Sequence, residues 1–380
     1  MNSSASSQLL SLFKIEATKR FTPGLEVVDS SQFGDRNPQL EFPFKIKPDV
    51  SVYCGDPTLP HPLLTDSSLA EIFIEFKWQT SDDPFCPVYD TKYSCSPTDG
   101  VHKSFLRETE GGRDTLGQIT SYAAAQLGSQ FRTHLYSVFI VEGTARILRW
   151  DRSGTIVTEP IKYNESPLLV EFFRRYSKAS PEMRGKDSSA SAVTPTEALV
   201  ARQTLGLGDT IPLVKLVVPA ADGSSRHFIT STPRATLYAP PGRATRGFPA
   251  YDSSQGTVVY LKDSWRIDLP DIHAEGQTYA TLEAATVRNI PRCLVSGDIS
   301  TDKYHATKTN SYATRTWACH SHAHFLPHRH YRLVLDIVGH PLTSFSSSYE
   351  MVAVVRDALI GAVPRCNFSG DITMLTSAAF

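Results

Sequence analysis

Two groups of residues in this sequence have the types and spacing to do chemistry. Residues 256–266 read GTVVYLKDSWR, a β-branched and aromatic run interrupted by Lys262. A lysine inside such a strand either snorkels its ammonium to solvent or is held against a phosphate. The other group lies earlier. Asp49 follows Pro48 in KPDVSVY, and Glu75 and Lys77 stand two apart in IEFKW. Strand side chains alternate between faces, so Glu75 and Lys77 share one. Gln118 and Tyr122 are four apart in TLGQITSYAAAQLGSQF, which sets both on one face of a helix. Two carboxylates supply the oxygen ligands a hard divalent cation prefers, and a neighbouring lysine suits a phosphate. An E-x-K triplet alone is common, and an alternating strand with a solvated face is the bland reading of these letters.

The elements that must position these groups follow from periodicity. LEFPFKIKPDVSVY and EIFIEFKW read as strands, and TLGQITSYAAAQLGSQF as a helix with a small-residue face. YSVFIVEGTARILRWD and TIVTEPIKY read as a hairpin pair, and SPLLVEFFRRYSKA as a helix opened by Ser166 and Pro167. Residues 177–208 are rich in small, polar and charged residues and are expected to form a linker. From 209 the pattern turns strand-rich: PLVKLVVPA, RHFITST, RGFPAYD and GTVVYLKDSW, then the helical HAEGQTYATLEAATV, the strand HYRLVLDIVG and the helix SSYEMVAVVRDALIGA. The expected fold class is α+β. The divisions are an N-terminal extension at 1–39, an α/β domain at 40–176, the linker at 177–208, a second domain at 209–363 and a tail at 364–380.

Bulk properties narrow the function classes. A chain of 380 residues exceeds one ordinary core, which favours two domains. The formal net charge of −1 provides no global attraction to nucleic acid or anionic lipid. The six cysteines lack CxxC pairing and read as reduced thiols. No run approaches the length of a membrane span, and the N-terminus lacks the basic region of a signal peptide, so an intracellular setting, cytoplasmic or nuclear, is expected. The histidine-rich HSHAHFLPHRH at 320–330 lacks acidic neighbours and is read as a loop rather than a zinc site.

Two family resemblances extend this reading. Five strands with a helix after the third resemble a protein-kinase small lobe. The ordered words GQITSYAAAQLGSQFRTHLYSVFI, ARILRWDRSG, SPEMRGKD, PGRATRGFPAYD, LKDSWR, VRNIPRCL and PHRHYRLVLDIVGHPLTSF are similar to the fungal-type protein kinase family over roughly residues 40–363. The resemblance implies ATP with Mg²⁺, and Lys262 at the phosphates with Glu275 as its ion-pair partner. It also implies a glycine loop, here reduced to Gly242 and Gly247. The catalytic H-R-D-x-x-x-x-N loop and the magnesium-binding aspartate motif have no counterpart before Phe380, so no residue is identifiable as catalytic for phosphoryl transfer. The expectation is a kinase-family chain truncated after the hinge, a pseudokinase that binds nucleotide, with any protein partner unspecified. Asp49, Glu75 and Lys77 on a strand pair, followed by Gln118 and Tyr122 on a helix, resemble the PD-(D/E)xK nuclease fold. That resemblance implies a divalent metal at Asp49 and Glu75 and nucleic acid as a partner, either as a living site or as an inherited scaffold. A non-catalytic binding or regulatory module is the remaining alternative.

Overall fold

The computed structural model describes residues 22, 24–35, 45–55, 65–86, 105–233, 239–299, 304–315, 318 and 325–362. They form two compact units. The first comprises Met1–Ser188 with Thr232–Ala244 and Thr301–Arg329, and the second Ser189–Ser231, Thr245–Ser300 and His330–Phe380. Among the described residues no helix is long and apolar enough to cross a membrane.

The first unit is built on one mixed sheet. Its strands are β1 (Leu25–Asp29), β2 (Val50–Cys54), β3 (Ile72–Lys77), β4 (Leu135–Val141), β5 (Thr144–Asp151) and β6 (Gly154–Val157), in that spatial order, with β7 (Ile161–Lys162) paired to β5. Among the described strands of this sheet only β3 and β4 run parallel. A parallel pair needs a long crossover, and helix α1 (Glu110–Ser129) supplies it. Thr109 opens α1 by accepting a hydrogen bond from the Gly112 amide at 3.1 Å. Helix α2 (Leu168–Lys178) covers the opposite face, packing Leu169, Phe173 and Tyr176 against Val52, Ile72, Ile74 and Val138. On the α1 face, Phe73, Tyr122 and Ala125 form one cluster, and Phe139, Leu127 and Trp150 another. Burying each large apolar side chain contributes about 1.5–3 kcal/mol. The alternation of β3 therefore fixes its register: Ile72 and Ile74 face α2, and Phe73 and Glu75 face α1.

The second unit carries a seven-stranded sheet. Its elements are β8 (Ala190–Ser191), α3 (Pro195–Leu205), β9 (Leu213–Pro219), β10 (Ser225–Ser231), β11 (Arg246–Asp252), β12 (Thr257–Ile267), α4 (Glu275–Ala284), β13 (Cys293–Asp298), β14 (His328–Leu335) and α5 (Ser348–Ala362). The spatial order is β13-β14-β12-β11-β10-β9-β8. Helix α4 follows β12, the last of the four strands read from the sequence before it, and β13, which the sequence reading did not single out, lies between α4 and β14. The mixed α and β content, with two sheets, agrees with the α+β expectation.

Three expectations about chain division are corrected. The stretch 177–208 is folded: it holds the end of α2, strand β8 and helix α3, which Thr194 and Glu197 cap reciprocally with Pro195 in the first turn. Polar composition disguised a capping box as a linker. The extension 1–39 contains β1, whose Leu25 and Val27 are buried in the sheet's core beside β2. The stretch 209–363 is not one contiguous unit, because 232–244 and 301–329 pack with the first. There the Gly242 amide donates to the Arg152 carbonyl at 2.8 Å, and the Asp151 carboxylate accepts from the Lys308 and Thr309 amides at 2.8 and 3.0 Å. The tail 364–380 lies outside the described residues.

Candidate functional site

The long strand β12 delivers Lys262 and Asp263 to opposite faces of the second sheet. Lys262 donates to both oxygens of Glu275, at 2.9 and 2.8 Å, and is only 5 % exposed. Glu275 is the first residue of α4, so the helix start sets its position. The adjacent Gly276 amide donates to the Tyr331 hydroxyl on β14 at 2.9 Å. A side chain at Gly276 would meet Ser296 Oγ at 2.0 Å and the Tyr331 hydroxyl at 2.6 Å, so α4 approaches β13 and β14 as closely as a bare backbone allows. Helix α4 buries only Tyr279 and Leu282. Glu283, the other acid of that helix, is exposed.

The two glycines of the implied loop lie on the connection from β10 to β11 and on β11 itself. Gly242 belongs to the first unit, with its amide bound to Arg152. Gly247 lies within β11, opposite Lys262 in register, and its missing side chain leaves room for the Tyr260 hydroxyl.

Behind the sheet, Asp263 is fully buried. It accepts from His330 Nε2 and Arg332 Nε, both at 2.7 Å, and from Arg246 Nη2 at 2.9 Å. Burial alone would raise its pKa, but these three partners hold it well below the usual carboxylate range. Arg332 also reaches Ser189 Oγ and the Val217 carbonyl, and Trp265 stacks on His330 at 4.9 Å. His328 is bound to the Leu326 carbonyl, and His320, His322 and His324 lie outside the described residues.

In the first unit Glu75 and Lys77 of β3 meet α1. Lys77 Nζ donates to Glu75 Oε1 at 2.5 Å and to Gln118 Oε1 at 2.8 Å. Asp49, just before β2, accepts from the Phe76 amide at 2.8 Å through Oδ2. Tyr122 gives its hydroxyl proton to the Lys47 carbonyl at 2.9 Å and so ties α1 to the segment that carries Asp49. All five residues singled out in the sequence surround one spot at the edge of β3. Glu75 Oε2 is enclosed there without a well-formed hydrogen bond. Burial, reinforced by the charge of Asp49, pushes Glu75 up to about 7, and burial also raises Asp49.

Four residues earlier, Glu71 has the opposite environment, which sequence reasoning missed. It is bound by Arg132 at 3.1 Å, Lys186 at 2.9 Å and the Tyr176 hydroxyl at 2.8 Å. Burial would raise Glu71, yet Arg132, Lys186 and Arg184 bring it down to about 2. Its partners are scattered over residues 132–186, so no local spacing announces the cluster. Cys54, Cys86 and Cys293 are free thiols.

A family model described as fungal protein kinase matches residues 89–363. The chain belongs to the fungal protein kinase family. The match takes in the whole second unit through α5 together with α1, β4 to β7 and α2. Lys262, Glu275, Gln118 and Tyr122 thus lie within the fungal protein kinase region, whereas Asp49, Glu75 and Lys77 precede it. No curated protein and no solved structure matches the chain.

Proposed function

We propose that this member of the fungal protein kinase family binds a nucleotide at the Lys262–Glu275 pair. The observation that supports it is the two-oxygen clasp of a nearly buried lysine by the first residue of a helix. Glu275 orients the ammonium, and the ammonium is a compact cation for phosphate oxygens. The fit to ATP is partial. The lysine and glutamate suit a phosphate, but Gly242 has its amide committed to Arg152, and Gly247 sits inside a strand. No aspartate or asparagine of these 380 residues is identified as a magnesium ligand, and no H-R-D motif occurs among them. Binding without phosphoryl transfer is therefore the reading for these residues. Titration of the chain with a fluorescent ATP analogue tests it: saturable binding lost in Lys262→Met supports the proposal, and binding indifferent to that change removes it. Transfer of γ-phosphate dependent on Lys262 would instead show that these residues include a catalytic aspartate.

A second reading concerns the first unit, and the unsatisfied Glu75 Oε2 beside Asp49 favours it. We infer that Asp49 and Glu75 hold a divalent cation and that Lys77 faces a phosphate, as the PD-(D/E)xK resemblance implies. Cation binding would relieve the charge repulsion between two half-dehydrated carboxylates. Mn²⁺ titration by calorimetry tests the site. Nicking of supercoiled DNA that Glu75→Ala abolishes would distinguish a nuclease from a scaffold that only binds metal.

A further inference from the structure

Tyr260 stands two residues before Lys262 on β12, so both side chains leave the same face of the sheet, where Glu275 meets Lys262. The Tyr260 ring does not stand off that face. A side chain at Gly247 would run into the Tyr260 hydroxyl and would meet the ring carbon that bears it at 2.5 Å. Gly247 is opposite Lys262 in the pairing of β11 with β12, whereas Tyr260 itself is opposite Pro249. The ring therefore leans along the sheet by two residues, and its hydroxyl ends beside the position of Lys262. All four residues belong to the second unit. Burial, and after it the charge of Glu275, raises the Tyr260 pKa, so the phenol keeps its proton at neutral pH and can donate it.

The oxygen of that phenol calls for a reason. A glycine within a strand weakens it, because it offers no side chain to pack and loses the most freedom on folding. Here the room left by Gly247 is taken by the Tyr260 hydroxyl. The ring packs against the cluster of Tyr279, Tyr331, Leu333 and Leu335, and phenylalanine would serve that contact equally well. Among the described residues, however, the hydroxyl has no hydrogen-bond partner. Lys262 is in a similar position. Its ammonium has three N–H donors, and the two oxygens of Glu275 take two of them. One donor of Lys262 and one of Tyr260 are thus left over side by side. Glu275 already balances the lysine's charge, and the phenol adds a donor without adding an acid. Two spare donors on one face suit a group that carries several acceptor oxygens on one centre, as a phosphoryl group does.

We propose that the Tyr260 hydroxyl is the second donor of the Lys262 site, hydrogen-bonding the phosphoryl group that the ammonium holds, and that Gly247 provides the space that seats it there. This role rests on the reading of Lys262 and Glu275 as a phosphate-binding pair, and it makes the phosphate chain, without base or sugar, a sufficient ligand.

The 380-residue chain, its Tyr260→Phe variant and its Lys262→Met variant are titrated with inorganic tripolyphosphate by calorimetry and with a fluorescent ATP analogue. Phenylalanine keeps the ring on its cluster and removes one oxygen, so the far-ultraviolet circular dichroism should not change. Wild type is expected to bind tripolyphosphate, and Tyr260→Phe to bind both probes about tenfold or more weakly, as the loss of one hydrogen bond to a charged acceptor implies. Binding that Lys262→Met abolishes and Tyr260→Phe leaves unchanged overturns the role of the phenol and keeps the nucleotide reading. An ATP analogue held through Lys262 with no binding of tripolyphosphate overturns the sufficiency of the phosphate chain. Weakening by Tyr260→Phe together with indifference to Lys262→Met supports the phenol as a phosphate donor and refutes the reading of Lys262. A wild type that binds neither probe refutes both.

Discussion

Replacing Glu75 by glutamine should make the first unit more stable at neutral and mildly basic pH, which is the reverse of what removing a buried ion pair usually does. In the folded chain Glu75 titrates near 7 because burial and the neighbouring Asp49 oppose its charge, against an ordinary value of 4.5. A folded pKa above the unfolded one means that folding favours the protonated form. The penalty is absent below about 4.5 and complete above about 7, and it amounts to roughly 3 kcal/mol. Glutamine removes it while keeping the shape. Lys77 then loses one partner, but its side chain is 21 % exposed and keeps Gln118 at 2.8 Å, so this loss is about 1 kcal/mol. The net gain is about 1–2 kcal/mol near pH 8, shrinking toward zero or below near pH 5. Urea unfolding of both chains at the two pH values measures it through the midpoint at constant slope. Mn²⁺ adds a second arm: it should stabilise the wild type and leave Glu75→Gln unmoved, because a cation that binds only the folded state shifts unfolding by mass action. A glutamine chain less stable than wild type at pH 8, or a difference independent of pH, would refute the idea that Glu75 is held in a strained, ligand-hungry state.

Three other outcomes are expected. Lys262→Met should weaken binding of a fluorescent ATP analogue at least about tenfold while leaving the far-ultraviolet circular dichroism unchanged, since the strand itself is held from its other face. Glu71→Gln should destabilise the first unit by about 3–5 kcal/mol, because Arg132 would remain buried with its charge unpaired; in the wild type the contribution of Glu71, whose folded value near 2 lies below 4.5, is present above about 4.5 and fades as pH falls toward about 2, and acid titrations followed by tryptophan fluorescence read both effects. Gly276→Ala should lower stability by about 1–3 kcal/mol and weaken nucleotide binding by pushing α4 off Ser296, and combining it with Ser296→Ala should restore part of both in thermal melts and analogue titrations.

What the sequence disclosed was whatever depends on local periodicity. Glu75 and Lys77 share a face because strands alternate, and Gln118 and Tyr122 share one because helices turn every 3.6 residues or so. Their meeting needed only β3 and α1 to pack, which the apolar residues between them require. The pairing of Lys262 with Glu275 came from the resemblance to a kinase small lobe rather than from any spacing rule, although strand and helix are joined by a short connection. The Glu71 and Asp263 clusters were hidden, since Arg132 and Lys186, like Arg246 and Arg332, come from distant stretches with no spacing rule to link them. The misread linker shows a further limit. Between Thr194 and Gly206 composition suggested an open chain, yet the reciprocal cap of Thr194 and Glu197, closed off by Lys215 on Glu197 at 2.8 Å, makes a helix of it. The local partners of the two glycines were equally hidden: the Gly242 amide meets the Arg152 carbonyl, and Gly247 makes room for Tyr260.

Strand β12 places two neighbouring residues under different kinds of selection. Asp263 anchors the strand through His330, Arg332 and Arg246, while Lys262, one position earlier, projects from the other side toward Glu275. A library screened only for soluble expression should therefore accept many residues at position 262 and almost none at 263. The same library screened for retention on immobilised nucleotide should become intolerant at both. Adjacent codons would separate the two demands, and the ratio of enrichment between the screens would grade each position of the strand as scaffold or as ligand contact without a single purified variant.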